Sequence, residues 1–129
     1  MRLLIDTHVA LWLDGARKRM TPRTLRLLAA PTTEVWLSAV SCAEMAVKLR
    51  RGKLRLDAPL DSWLTERVQL YRWRVLELRP EHAASLVALP SEHRDPFDLL
   101  LAAQSVSERL PFVTADEAFA ALGVDVVPA

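Results

Sequence analysis

Arg2-Leu3-Leu4-Ile5-Asp6-Thr7 is the stretch that decides the fold. Three consecutive apolar residues without helical spacing predict a short strand buried on both faces. The strand closes on Asp6, and helical spacing follows at once with Val9, Trp12 and Leu13 on one side. An acid at the carboxyl end of a buried strand, opening onto a helix, stands where open α/β sheets place their ligands. Two readings of Asp6 are open at this point: anchor of a metal site, or ordinary N-cap of the next helix.

Working outward, strand and helix patterns alternate to the end of the chain. Thr21-Pro22 begins a helix with Leu25, Leu28 and Ala29 as its stripe, and Glu34–Leu37 is a strand. Helices are predicted from Ser41 to Arg51, closed by Gly52, and over Leu60–Tyr71. Arg74–Leu78 is a strand and Glu81–Leu89 a short helix between prolines. The clearest helix is Asp95–Arg109, with Leu99, Ala102, Ala103, Val106 and Leu110 at core spacing. Phe112–Thr114 is a strand, Glu117–Leu122 a helix and Val124–Val127 a last strand. This alternation predicts a parallel sheet with helices on both faces, formed by residues 1–129 as one domain.

The totals agree with that class. The chain has 129 residues, 51% of them apolar, and only 3 Gly, which describes a well-packed globule. No apolar run approaches the ~20 residues that span a bilayer, and no signal-peptide plan is seen at the start. A single cysteine excludes an internal disulfide and leads to the expectation of a reducing cytoplasm. The net charge of +1 conceals an asymmetry. Residues 1–56 hold 11 Lys and Arg against 4 acids (+7), and residues 57–129 hold 6 Arg against 12 acids (−6). That division suggests a basic rim suited to phosphates beside a separate acidic region.

Four acids stand out by position: Asp6 after the first strand, Glu44 and Asp98 in first turns of helices, and Asp116 after Phe112–Thr114. In a parallel layout, strand ends and helix starts share one edge, so all four can meet there. Each also has a capping explanation. Ser41-Cys42-Ala43-Glu44 fits a capping box, Asp95-Pro96-Phe97-Asp98 fits an N-cap with proline and a dipole-favoured acid, and Thr114-Ala115-Asp116-Glu117 is box-like. Carboxylate ligands select hard ions, so magnesium or manganese is expected over zinc. His8, His82 and His93 share no ligand spacing with one another or with Cys42. They are expected to be ordinary histidines, and Cys42 a small buried residue. Trp12, Trp36, Trp63 and Trp73 are expected in core or interface rather than as a base-stacking platform.

Leu3-Leu4-Ile5-Asp6-Thr7-His8, Ser41-Cys42-Ala43-Glu44, His93-Arg94-Asp95-Pro96-Phe97-Asp98 and Thr114-Ala115-Asp116 follow one another as in the PIN-domain family. The chain resembles the VapC-like toxins of type II toxin–antitoxin systems nearly end to end. The resemblance implies a three-layer sandwich with a short central parallel sheet. It implies an Mg²⁺- or Mn²⁺-dependent endoribonuclease in which Asp6, Glu44, Asp98 and Asp116 are catalytic and bind the metal. Asp95 is an additional ligand candidate, and Thr7, Ser41 and Thr114 are supporting residues. A homodimer and a small cognate antitoxin protein are implied as partners. Arg17, Lys18 and Arg19, with Lys48, Arg50 and Arg51, are candidates for holding the RNA backbone.

Two other classes compete. An aspartyl-phosphate phosphotransfer enzyme also places an acid after the first strand, but the haloacid-dehalogenase pattern wants a second Asp where this chain has His8. A phospho-receiver domain wants paired acids ahead of its Asp, and Asp6 stands too near the start for them. The other rival is a non-catalytic binding module whose acids only cap helices.

Overall fold

The computed structural model describes residues 1–93 and 95–129. Arg94, quoted above within the His93–Asp98 motif, lies outside the described residues. The elements are β1 (Arg2–Ile5), α1 (Thr7–Gly15), a 3₁₀ turn (Arg17–Arg19), α2 (Pro22–Ala29), β2 (Glu34–Ser38) and α3 (Ala39–Arg50). There follow α4 (Leu60–Tyr71), β3 (Arg74–Leu76), α5 (Pro80–Val87), α6 (Pro96–Glu108), β4 (Phe112–Thr114), a 3₁₀ turn (Glu117–Leu122) and β5 (Val126–Pro128). All paired strands are parallel, in the order β3-β2-β1-β4-β5. The predicted α/β sandwich is therefore observed.

β1 is central because it can be buried on both sides. Leu3, Leu4 and Ile5 have no exposed surface. Side chains alternate along a strand, so Leu3 and Ile5 join the core layer under α1 and α4, with Val9, Leu13 and Trp63. Leu4 faces the other way, into a layer with Leu101, Ala102, Phe112 and Phe119. The helices α1 and α6 thus lie on opposite faces of the same strand. The order reverses at β1, whose neighbours are β2 on one side and β4 on the other. A crevice opens at such a switch point, beyond the carboxyl ends of β1 and β4.

Several expected boundaries shift. The Arg74–Leu78 strand ends at Leu76, the last strand runs Val126–Pro128 rather than Val124–Val127, and Glu117–Leu122 is 3₁₀. The α3 helix starts at Ala39, not Ser41, because the Ser38 hydroxyl accepts the Val40 amide at 2.9 Å and caps it. In α6, Val106 is 44% exposed instead of in the core. Leu101 and Gln104 take the buried positions, both with no exposed surface, because α6 is covered on more than one side. Cys42 is half-buried.

A buried polar chain fixes α3 against α6. The Ser38 hydroxyl donates to Gln104 Oε1, while Gln104 Nε2 donates to the Glu77 carbonyl at 3.2 Å. His82, 1% exposed, accepts the Arg79 amide on Nδ1 at 3.0 Å, which directs its Nε2 proton to Glu108 at 3.0 Å. Each buried group is satisfied, as burial demands, and His82 is an ordinary structural histidine. On the opposite face, Arg67 joins Asp14 (3.1 Å) to Asp57 (2.9 Å), tying the end of α1 to α4.

Candidate active site

A cleft of about 440 Å³ opens at the carboxyl edge of the sheet, lined by Asp6, Glu44, Asp95, Asp98 and Asp116. Five carboxylates from four separated segments therefore share one cavity. The reasons for their placement differ. Asp6 ends β1 and is 6% exposed; Thr114 at the end of β4 donates its hydroxyl to Asp6 Oδ2 at 2.7 Å. That same hydroxyl accepts the Asp116 amide at 3.0 Å, so the ends of β1 and β4 are joined through one side chain. Asp6 stands at the N-cap position of α1 but makes no side-chain cap hydrogen bond. The capping explanation therefore fails for Asp6.

It fails for Glu44 too. With α3 starting at Ala39, Glu44 lies in the second turn, beyond reach of a box with Ser41. Its Oε1 instead accepts the Thr7 hydroxyl at 2.7 Å, and its Oε2 pairs with Lys48 Nζ at 2.8 Å. Thr7 Oγ1 also lies 2.8 Å from Ser41 Oγ. A carboxylate can only accept, so the proton of Thr7 goes to Glu44 and Ser41 donates to Thr7. Ser41, Thr7 and Glu44 form a directed chain, and all three are buried.

Capping does describe Asp95 and Asp116. Asp95 Oδ1 accepts the amides of Phe97 (2.9 Å) and Asp98 (3.2 Å), and Asp116 Oδ1 accepts that of Ala118 at 3.0 Å. Both residues are exposed. Asp98, one turn into α6, is half-buried and holds His93 Nε2 at 2.9 Å through its Oδ2. Sequence reasoning missed His93 at this position, and no spacing signal marks it. The Glu44–Lys48 pair is legible in the sequence as an i,i+4 pair.

Of the basic candidates, Arg19 and Lys48 line the cleft. Arg17 turns instead to a second groove of about 410 Å³ that Leu13, Leu25, Leu28, Tyr71 and Trp73 also line. Lys18, Arg50 and Arg51 are exposed away from both lining sets. Trp63 and Trp73 are core residues, but Trp12 lines the acid cleft beside His8.

Burial dominates the electrostatics of Asp6 and Asp98 in the cleft. Burial pushes the Asp6 carboxyl above the usual aspartate range, against the Thr114 hydrogen bond and nearby His8, and the Glu44 charge adds to the rise. Burial also raises Asp98, with His93 opposing and the charges of Asp95 and Asp6 adding to it. Among the described residues, no three His, Cys, Asp or Glu side chains converge closely enough to hold an ion together as they stand. The donor chemistry nevertheless fits a hard cation, being all oxygen and mutually repulsive.

A carboxyl whose pKa is higher folded than unfolded favours folding fully below its unfolded value. That contribution is lost as pH rises through the folded value. The ion-free protein at neutral pH therefore carries an unfavourable charge at Asp6. Asp6→Asn keeps an oxygen for Thr114 and removes the charge, so Tm at pH 7 should rise by about 3–6 °C. The gain should shrink as pH falls toward about 4. An unchanged or lower Tm at pH 7 in chelator would contradict this electrostatic account, as melting curves of the two proteins would reveal.

Among curated proteins, none matches the chain. Solved structures match along its full length. VapBC2 from Rickettsia felis, bound to a DNA fragment from their promoter, is 14% identical, with 99% of this chain and 98% of that one covered and a TM-score of 0.73. FitAcB from Neisseria gonorrhoeae is 26% identical, with coverage of 98% and 96% and a TM-score of 0.63. A toxin–antitoxin complex from Klebsiella pneumoniae is 20% identical, with coverage of 97% and 95% and a TM-score of 0.61. The PIN domain family model matches residues 3–125, which span β1 through the loop before β5. With a model covering nearly all of its length and its acids gathered at the β1–β4 switch point, this chain belongs to the PIN domain family.

Proposed function

We propose that this protein is a divalent-metal-dependent endoribonuclease and the toxin of a toxin–antitoxin pair. The observation that carries the reading is the gathering of Asp6, Glu44, Asp95, Asp98 and Asp116 in one cleft of a PIN fold. Helix capping accounts for two of them and leaves Asp6, Glu44 and Asp98 without a structural reason to share a cavity.

Asp6, Glu44 and Asp98 would hold Mg²⁺ or Mn²⁺, with Asp116 at the rim and Asp95 held to its cap. When bound, a hard divalent ion supplies a nucleophilic water at neutral pH and offsets charge on the departing oxygen. The chain's own groups supply order. Thr114 fixes Asp6, Ser41 and Thr7 fix Glu44, and His93 fixes Asp98 through one carboxylate oxygen each. Among the described lining residues, Lys48 and Arg19 bring positive charge to the cleft, suited to the phosphates of an RNA backbone. No serine or histidine nucleophile is required.

The second groove supports the partner half of the reading. Its apolar lining from α1, α2 and the end of α4 suits the apolar face of an amphipathic helix, and Arg17 at its edge suits a carboxylate. Leu13 contributes to that groove, whereas Trp12 contributes to the acid cleft. A toxin–antitoxin complex stands among the similar structures.

The purified protein should cleave RNA with Mg²⁺ or Mn²⁺ and stop in chelator. Asp98→Asn should lower the rate more than about 100-fold without unfolding the protein. Asp95→Asn, which still caps α6, should stay within about tenfold of the parent. Equal loss in both variants would make Asp95 a ligand, and cleavage unaffected by chelator would end the metal mechanism. In cells, expression of the chain alone should arrest growth and the Asp6→Asn variant should be tolerated. Harmless high-level expression would remove the toxin assignment and leave the nuclease.

A further inference from the structure

Trp12 packs part of its ring against the core, but its opening into the acid cleft is a feature that the carboxylate chemistry does not explain. Of the four tryptophans, Trp63 is 1% exposed and Trp73 is 5% exposed. Trp36 lies on the sheet between Arg2 and Arg74. Trp12 alone, among the described residues, puts an indole into the acid cleft, where it is half-buried. Two groups that also line the cleft flank it. His8, one turn earlier on α1, has its ring 6.2 Å away at 45°, and the Arg19 guanidinium lies 5.9 Å from the indole centre. Both are exposed.

An indole at the mouth of a carboxylate-lined cavity gains nothing from the acids, and its open surface costs free energy in water. Indole, imidazole and guanidinium share one recognition property, which is that each stacks on a nucleobase. Arg19 adds a charge for the adjoining phosphate. The cleft also contains Asp6, Glu44 and Asp98, so a base seated on Trp12 would hang from the nucleotide next to the phosphate those acids address.

We infer that Trp12, flanked by His8 and Arg19, is a base-stacking subsite that takes one unpaired nucleotide beside the cleavage point. This inference rests on the nuclease reading and narrows its substrate to RNA whose base is free of a duplex. A paired base has no exposed face to offer, and sequence-tolerant stacking explains recognition without hydrogen-bonding partners on the indole. Trp12 is thus a positioning residue for substrate and takes no part in proton transfer.

The test is equilibrium binding of a labelled unpaired RNA oligonucleotide to the Asp98→Asn protein in Mg²⁺, so that the probe stays intact. Trp12→Ala in that background should weaken binding about tenfold, and Trp12→Phe should restore most of it. Removing the base from one nucleotide of the probe should cost the Trp12 protein a similar factor, and cost the Trp12→Ala protein nothing further. The abasic probe reads the subsite in a protein whose α1 is unaltered, so misfolding of Trp12→Ala cannot imitate the result. Unchanged RNA affinity in Trp12→Ala, with or without loss of a protein partner, overturns the subsite, as does an abasic penalty that survives in full. If the Asp98→Asn parent binds no RNA while remaining folded, the nuclease reading fails and the subsite with it.

Discussion

Like charges in one low-dielectric cavity repel, and the structure is arranged around holding them there. Asp6 and Glu44, both 6% exposed, face the same cleft as Asp98. Two carboxylates in such a site cost several kcal/mol unless each is hydrogen-bonded or paired. The chain meets that demand with Thr114 of β4 on Asp6, Thr7 of α1 and Lys48 of α3 itself on Glu44, and His93 of the loop before α6 on Asp98. The Thr114–Asp6 and Thr7–Glu44 ties connect segments far apart in sequence, while Lys48 and His93 act locally. The site is therefore also a clasp across the carboxyl edge of the sheet, which is why its acids tolerate their own repulsion.

The sheet makes this possible because β1 is covered on both faces and centred in the order. A strand with solvent on one side would leave Asp6 exposed and free to turn away. The Ser38–Gln104–His82 chain performs a related task one layer away, fixing the start of α3 against α6 and so the positions of Glu44 and Asp98.

Much of this was legible in the residues. Leu3-Leu4-Ile5 has neither polar alternation nor helical period, and only a doubly covered strand satisfies it. Asp95-Pro96 announces the start of α6, where the structure places it. Less local features escaped. Ser41 with Glu44 has the spacing of a capping box, but Ser38 caps first, and one register shift of three residues turns Glu44 from a cap into a cleft residue. Val106 follows the core period of α6 yet is exposed, because a helix covered on two sides does not bury a single stripe. Trp12 shares the apolar spacing of Val9 and Leu13, and spacing alone cannot tell a core indole from one at the border of the core. The His93–Asp98 contact depends on the path of a loop, for which the sequence holds no periodic signal.

Cap and ligand are not exclusive roles. Asp116 spends Oδ1 on the Ala118 amide, while its backbone amide reaches Asp6 through Thr114. Among the described residues no helix is long and apolar enough to cross a membrane. The central claim is that the cleft is a cation site, and direct Mn²⁺ binding followed by electron paramagnetic resonance tests it most simply. Free Mn²⁺ signal should be depleted by the purified protein at submillimolar concentrations, and Asp6→Asn should weaken that binding at least about tenfold. Free signal that tracks added Mn²⁺ into the millimolar range, identically for both proteins, would contradict the account.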